Sequence, residues 1–368
     1  MKRVFFIRLL GLFLVSLVII GCSVKQIEQK YESVNYENGK FKNQYLDYDA
    51  FNFDKIMKIS KAYYNNDVKD SAPAEDFNIP VVKITADDIL NIKDNSVIRF
   101  GHSTLLFKID DRIVITDPMF GQRASPFSFM GPKRFHENPI EAEDMPFIDV
   151  IVISHNHYDH MDEYSLNALK DNFGAMYVPL GIKEKMVEIG LDASKIIELD
   201  WWQSVQNGSL SFTATPSQHF SGRGLFDGDE TLWASWVINS SKSSIFFSGD
   251  SGYFRGFKDI GDKFGPFDMT FMENGAYNEN WAEIHMMPEQ AVQAHIDLKG
   301  KIMFPIHNGT FDLALHSWTE PFERVLLEAQ KRGVKVVHPK MGEVIPLKEY
   351  SSTAKWWEGI SNHRYVKK

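Results

Sequence analysis

Ser154-His155-Asn156-His157-Tyr158-Asp159-His160 follows the apolar run Val150-Ile151-Val152-Ile153 and packs three imidazoles and a carboxylate into six consecutive positions. Three of the chain's twelve histidines sit there. Imidazole nitrogen and carboxylate oxygen are the donors that a divalent ion such as zinc takes, and leaving them unpaired beside a buried strand costs on the order of several kcal/mol per group. His155 and His157, two apart in an extended loop, can point together at one ion. Asp159 and His160, adjacent and therefore diverging, can face a second. A solvated loop with chance histidines is the bland alternative, and the clustering argues against it.

The same arrangement recurs downstream. Phe212-Thr213-Ala214-Thr215 runs into Pro216 and then His219; Ile245-Phe246-Phe247-Ser248 ends in Gly249-Asp250; Ile302-Met303-Phe304-Pro305-Ile306 ends in His307. Four strand candidates thus each deliver a ligand just past their carboxyl end, where a rigid sheet can aim them at one cleft.

Further strands are expected over Ser96 to Arg99, Thr104 to Ile109, Arg112 to Thr116, Trp233 to Asn239 and Met269 to Met272. Helices are expected over Glu163 to Asp171, Ile182 to Ile189, Pro288 to Leu298 and Pro321 to Lys331, the third with Pro288 at its first turn and Gly300 just past its end. Strands and helices mixed in this way imply a layered α/β architecture.

Composition narrows the chemistry. The chain has 368 residues, enough for one large α/β domain, and a net charge of −9. That balance, with no Lys/Arg block, argues against nucleic acid as a partner. Cys22 is the single cysteine, so neither a disulfide framework nor a cysteine-ligated zinc site can be built. Any metal must be held by His and Asp. Gly101-His102-Ser103-Thr104-Leu105 lacks the closing glycine of a nucleophile elbow, and Gly222-Arg223-Gly224 meets Asp227 where a dinucleotide fingerprint needs glycine.

Lys2, Arg3 and Arg8 precede an apolar run from Leu9 to Ile20, the pattern of an export signal and too short to span a bilayer comfortably. Ile19-Ile20-Gly21-Cys22, at the end of the 1–22 signal segment, resembles the lipobox of bacterial lipoproteins, which implies cleavage before Cys22 and lipidation of Cys22 as the first residue of the mature protein, an uncleaved anchor being the alternative. The expectation is an exported protein anchored to the membrane of the bacterial cell envelope. Residues 23–95 are polar and read as a tether and docking segment, with one helical patch carrying Phe53, Ile56, Met57 and Tyr63. That patch is either membrane-facing or, the favoured reading, packed against the catalytic domain.

The pattern H-x-H-x-D-H followed by single His, Asp and His resembles the metallo-β-lactamase superfamily. The resemblance implies an αββα sandwich, placed over residues 96–348 with 349–368 as a C-terminal tail. It assigns His155, His157 and His219 to a first metal and Asp159, His160 and His307 to a second, with Asp250 bridging. Thr116-Asp117-Pro118-Met119-Phe120, Arg123 to Pro126, Met130 to Phe135, Thr231 to Trp236 and Ile306 to Phe311 are similar to the N-acylphosphatidylethanolamine-hydrolysing phospholipase D family. The likeness weakens between Ala276 and Ala291, a region that shapes the substrate cleft in that family. His285 stands where the family places a substrate-contacting histidine. Asp117 and His102 are expected behind the ligands, Asp117 accepting a ligand histidine's other ring N–H.

The expected cofactors are two divalent ions, zinc by default with Mn or Fe as alternatives. Two such ions can share a hydroxide at neutral pH and gather charge on a phosphodiester, with Asp250 fixing their spacing and Asp159 orienting the nucleophile or moving a proton. The expected activity is hydrolysis of a membrane phospholipid. Hydrolysis of a lactone, another ester or a soluble phosphodiester is the alternative, and a non-catalytic metal-binding lipoprotein the second. The sequence carries no signature of a protein partner or of an oligomeric state. Other histidines, His136, His295, His316 and His338, are expected to be structural or exposed, with His316 the first to test.

Overall fold

The computed structural model describes residues 30–358 except 50, 51, 66, 67, 75, 76 and 225. The export-signal reading and Cys22 lie outside the described residues. Among the described residues no helix is long and apolar enough to cross a membrane.

A short hairpin, β1 (Tyr36–Glu37) and β2 (Lys40–Phe41), opens the described chain and is followed by helices α1 (Phe53–Tyr64) and α2 (Ala86–Asn91). Then come β3 (Ser96–Gly101), β4 (Thr104–Ile109), β5 (Arg112–Thr116), β6 (Ile148–Val152), α3 (Glu163–Leu169), β7 (Phe173–Pro179), α4 (Ile182–Glu188) and β8 (Ile196–Leu199). The second half holds β9 (Ser204–Asn207), β10 (Leu210–Thr215), β11 (Ser235–Asn239), β12 (Ser244–Phe247), α5 (Gly256–Phe264), β13 (Phe267–Glu273), α6 (Pro288–Asp297), β14 (Gly300–Ile306), α7 (Glu320–Arg332) and β15 (Val344–Pro346).

These strands form two mixed sheets, one ordered β15-β3-β4-β5-β6-β7-β8 and the other β14-β13-β12-β11-β10-β9. Period-2 alternation explains how they stack. On β4, Leu105, Phe107 and Ile109 point into the space between the sheets, where they meet Phe212, Trp236, Phe271 and Phe304. Leu106 on the same strand points outward with Ile115 and Ile151, onto Leu166 and Leu169 of α3 and Ile182 and Met186 of α4. The outer face of the second sheet, through Phe246, Phe267 and Met303, is covered by Phe257 of α5, Val292 of α6 and Val325 of α7. The result is the αββα sandwich that the resemblance implied.

Sheet direction places the ligands. β10 and β12 each pair antiparallel with β11, and β12, β13 and β14 run parallel, so β10, β12 and β14 all end on one edge. In the first sheet β5 and β6 are parallel and end at the matching edge.

Residues flanking 96–348 complete this core. Tyr36 and Phe41 join the inter-sheet cluster, while Trp356 and Trp357 pack on Phe322 of α7. α1 has no buried residue, and it touches the domain through half-buried Ile59 and through Tyr63 stacked on Trp281. One local expectation fails: the left-handed residue after α6 is Lys299, and Gly300 already belongs to β14, where the His295 ring leaves a Cβ no room.

The inter-sheet core carries the stability. Phe271→Ala is expected to cost about 3–5 kcal/mol, read as a fall in the urea midpoint. Leu327→Ala on the exposed side of α7 should change stability by less than about 0.5 kcal/mol. Equal midpoints for the two variants would contradict this account.

Candidate metal centre

Each ligand position follows from a strand that stops. β6 ends at Val152 and the loop carries His155, His157, Asp159 and His160 across the sandwich edge; β10 delivers His219, β12 delivers Asp250 and β14 delivers His307. The structure brings all seven together in two groups. The ligand atoms of His155, His157, His219 and Asp250 lie within 4.8 Å of one another, as do those of His102, Asp159, His160 and His307. Asp250 sits between the groups, its Oδ2 at 3.2 Å from His160 Nε2, 3.1 Å from His307 Nε2, and 3.8 Å from both His155 Nε2 and His219 Nε2.

The donors fit divalent ions. A tetrahedral zinc with arms of about 2.0 Å holds its ligand atoms about 3.3 Å apart. His219 Nε2 lies 3.3 Å from His157 Nδ1, and His307 Nε2 lies 3.2 Å from His160 Nε2. Asp250 Oδ1 is buried with no hydrogen-bond partner among the described residues. A carboxylate oxygen left in that condition is one that a cation satisfies.

Electrostatics separate the two groups. Burial holds the His155 and His219 imidazoles well below the usual range and takes His157 down to about 4, which leaves their nitrogens free as donors. Burial also opposes charge on His160 and His307, but Asp250 and Asp159 outweigh it, holding His160 well above its usual value and His307 at about 10. Desolvation likewise works against ionised Asp159 and Asp250. The His160 and His307 rings overcome it and keep both carboxyls well below the usual carboxylate range. Asp159 and Asp250 thus favour protons on His160 and His307 in the metal-free protein, and a divalent ion held there would displace them.

Behind the donors stands Asp117, just past β5. Its Oδ2 accepts from His160 Nδ1 at 2.7 Å and from Ser154 Oγ at 2.6 Å, and Ser154 Oγ lies 2.9 Å from His155 Nδ1. One carboxylate therefore orients a ligand of each group, directly and through a serine. His219 Nδ1 is set by the Ile284 carbonyl at 3.1 Å. His102, in the tight turn between β3 and β4, places Nε2 2.8 Å from Asp159 Oδ2, inside the second group of donors. Burial lowers its pKa to about 3.

His285 lies at the rim, its ring 5.0 Å from that of His219 and 5.7 Å from that of His307. Its Nδ1 is bonded at 2.9 Å to Glu273, a fully buried carboxylate at the end of β13 that sequence reasoning passed over. An acid directly after the strand candidate Met269 to Met272 was the available signal. His316 is a brace outside the donor set, with its two ring nitrogens on the Ser317 and Gly275 carbonyls. His295 is buried against Thr270, and His136 packs beside Gly101.

A cavity of about 360 Å³ leads to the donors. Tyr48, Ile59, Tyr63, Phe220, Trp281 and Leu313 form its walls, with His157, Asp159, Asp250, His285 and His307 at its inner end. Clefts of about 470 and 820 Å³ elsewhere on the surface hold none of the donors.

Residues 112–308 match the family model described as the beta-lactamase superfamily domain. An uncharacterized protein of Mycobacterium tuberculosis is 42% identical over 262 residues, covering 70% of each chain. The N-acyl-phosphatidylethanolamine-hydrolyzing phospholipase D 1 of Caenorhabditis elegans is 34% identical over 286 residues, 73% of this chain and 80% of that protein. Among solved structures, an isothiocyanate hydrolase from Delia radicum gut bacteria superposes with a TM-score of 0.55 at 20% identity, over 68% of this chain and 98% of that one, a likeness of fold.

Asp117→Asn should leave the fold intact yet weaken metal binding by about 10–100-fold, measured by competition with a chelating indicator. Undiminished affinity would contradict the orienting role.

Proposed function

The chain belongs to the beta-lactamase superfamily as a metallo-β-lactamase-fold hydrolase, and from that premise we propose that it cleaves the phosphodiester of a membrane phospholipid in the manner of the N-acylphosphatidylethanolamine-hydrolysing phospholipases D. The observation that carries this reading is the lining of the cavity, with aromatic and aliphatic walls on one side and the donors His157, Asp159, Asp250 and His307, beside His285, on the other. Acyl chains suit such walls, and an anionic phosphodiester suits such a floor.

His155, His157 and His219 would hold one ion, Asp159, His160 and His307 the other, and Asp250 would touch both. Bound divalent ions, zinc by default, supply acidification of water and neutralisation of charge on the phosphoryl oxygens. The side chains do the rest. His102 Nε2, 2.8 Å from Asp159 Oδ2, fixes that carboxylate where, ionised, it can accept a hydrogen bond from the attacking water and orient it. Glu273 holds the Nδ1 side of His285, so the opposite ring edge is turned toward substrate. Water attacks phosphorus, the bond to the ethanolamine oxygen breaks, and an N-acylethanolamine and phosphatidic acid leave.

Access to lipid has a structural counterpart in α1. Its half-buried edge, Lys55, Ile59 and Ala62, faces the domain, while Phe53, Met57 and Tyr64 are 73%, 53% and 90% exposed. Lys58 and Lys61 flank that apolar strip. Tyr63 belongs to the cavity wall, so the strip runs into the mouth of the site. Apolar side chains edged by lysine are what an anionic lipid surface takes up. Together with the lipobox-like Cys22, this supports a place at the membrane of the cell envelope.

A protein beginning at Ser23 should hydrolyse N-acylated phosphatidylethanolamine, with Asp250→Asn reducing kcat/KM by at least about 100-fold. Cleavage of a lactone with no turnover of any phosphodiester would overturn the reading. The same protein should bind phosphatidylglycerol vesicles, and the double variant Phe53→Asp, Met57→Asp should weaken that binding by about tenfold or more while leaving a soluble bis-aryl phosphate substrate unaffected. Equal vesicle binding by both proteins would remove α1 from the membrane.

A further inference from the structure

We infer that Arg99, which has no part in the chemistry above, is a positioning residue for His307, and that the C-terminal pair Trp356 and Trp357 keeps its contact dry. The inference rests on the two-ion reading of the centre.

His307 differs from three of the other ligand histidines in how it is held. The rings of His155, His160 and His219 are each fixed by a partner on Nδ1, whereas His307 Nδ1 has none among the described residues. Its backbone is strained as well, with φ at 64°, in the left-handed region that a residue with a Cβ rarely adopts. Beyond its packing against the His102 ring at 3.9 Å and the His160 ring at 5.1 Å, the direction of this ring depends on how its main chain is held.

Arg99 supplies that constraint. It lies on β3, wholly buried, and its Nη2 donates to both the carbonyl oxygen of Asn308, at 2.8 Å, and the side-chain Oδ1 of Asn308, at 2.6 Å. Asn308 Nδ2 in turn donates to the Ile306 carbonyl at 3.0 Å, so the peptide before His307 and the peptide after Asn308 are both tied, through Asn308, to the Arg99 side chain. His307 N donates to the His102 carbonyl at 3.0 Å, a second contact from the same end of β3 that carries Arg99.

The cost of Arg99 argues that its charge has a purpose. Nε and Nη1 have no hydrogen-bond partner among the described residues, and an apolar side chain of similar volume would avoid that penalty. Burial lowers its pKa only to about 9, so the guanidinium stays charged at neutral pH. Phe322 lies 6.0 Å from the guanidinium carbon, Trp357 stacks on Phe322 at 4.6 Å and Trp356 meets it edge-on at 5.2 Å. Exclusion of water by these rings strengthens the Arg99–Asn308 bonds.

The test is cobalt titration of the full exported chain, following the d–d absorption and the bound-metal count, with the Tm of the metal-free protein alongside. Wild type should take up two ions. Arg99→Met should bind the first ion as wild type does and the second about 10–100-fold more weakly, with Arg99→Lys recovering part of the loss and Trp357→Leu showing a milder form of it. Asn308→Ala removes the side-chain half of the contact and should give the same one-site loss if Arg99→Met does not fold. Wild-type affinity for both ions in Arg99→Met and Asn308→Ala would overturn the inference alone, as would a parallel fall at both sites that tracks the Tm. Fewer than two ions on wild type would overturn the two-ion reading and the inference with it.

Discussion

Charge balance in one dry pocket is the constraint on which this structure depends. Asp117, Asp159 and Asp250 are carboxylates packed among the rings of His102, His155, His157, His160, His219 and His307, nearly all of them cut off from solvent. No such set survives in an apolar interior unless its charges are matched. In the metal-free chain Asp159 and Asp250 favour protons on His160 and His307, while Asp117 is held by hydrogen bonds from His160 and Ser154. Divalent ions bound among these donors would balance the carboxylates in another way.

Rigid sheets hold this balance in place, and the strain falls at the strand ends. His102, Asp117 and His307 all have positive φ, at 52°, 37° and 64°. Such angles in residues with a Cβ persist only where the surroundings dictate them, and they gather at functional sites. Glycine serves where even that is too crowded. A Cβ on Gly275 would lie 1.6 Å from the His307 carbonyl oxygen, so the β13 and β14 loops can pass this closely only with glycine there. Packing of the two sheets thus sets where the ligand loops meet, and the loops set which atoms face one another there.

Much of this was legible in the sequence because it depends on local order. The loop from Ser154 to His160 displays its donors in consecutive positions, and His219, Asp250 and His307 each follow a clear apolar strand. Other parts were hidden for physical reasons. β7, Phe-Gly-Ala-Met-Tyr-Val-Pro, carries glycine and proline in a strand whose burial comes from neighbours on both faces. α5 holds two glycines, one of which, Gly261, lets the chain beyond α6 approach closely. Glu273 and Arg99 sit inside apolar strands, and their partners His285 and Asn308 lie 12 and 209 residues away, so only the folded chain reveals them.

The most direct test of the central claim is a crystal structure of the protein grown with zinc, with anomalous diffraction recorded across the zinc edge. The account predicts two anomalous peaks, one among His155, His157 and His219 and one among Asp159, His160 and His307, with Asp250 touching both. A single peak, or two peaks away from these side chains, would contradict it.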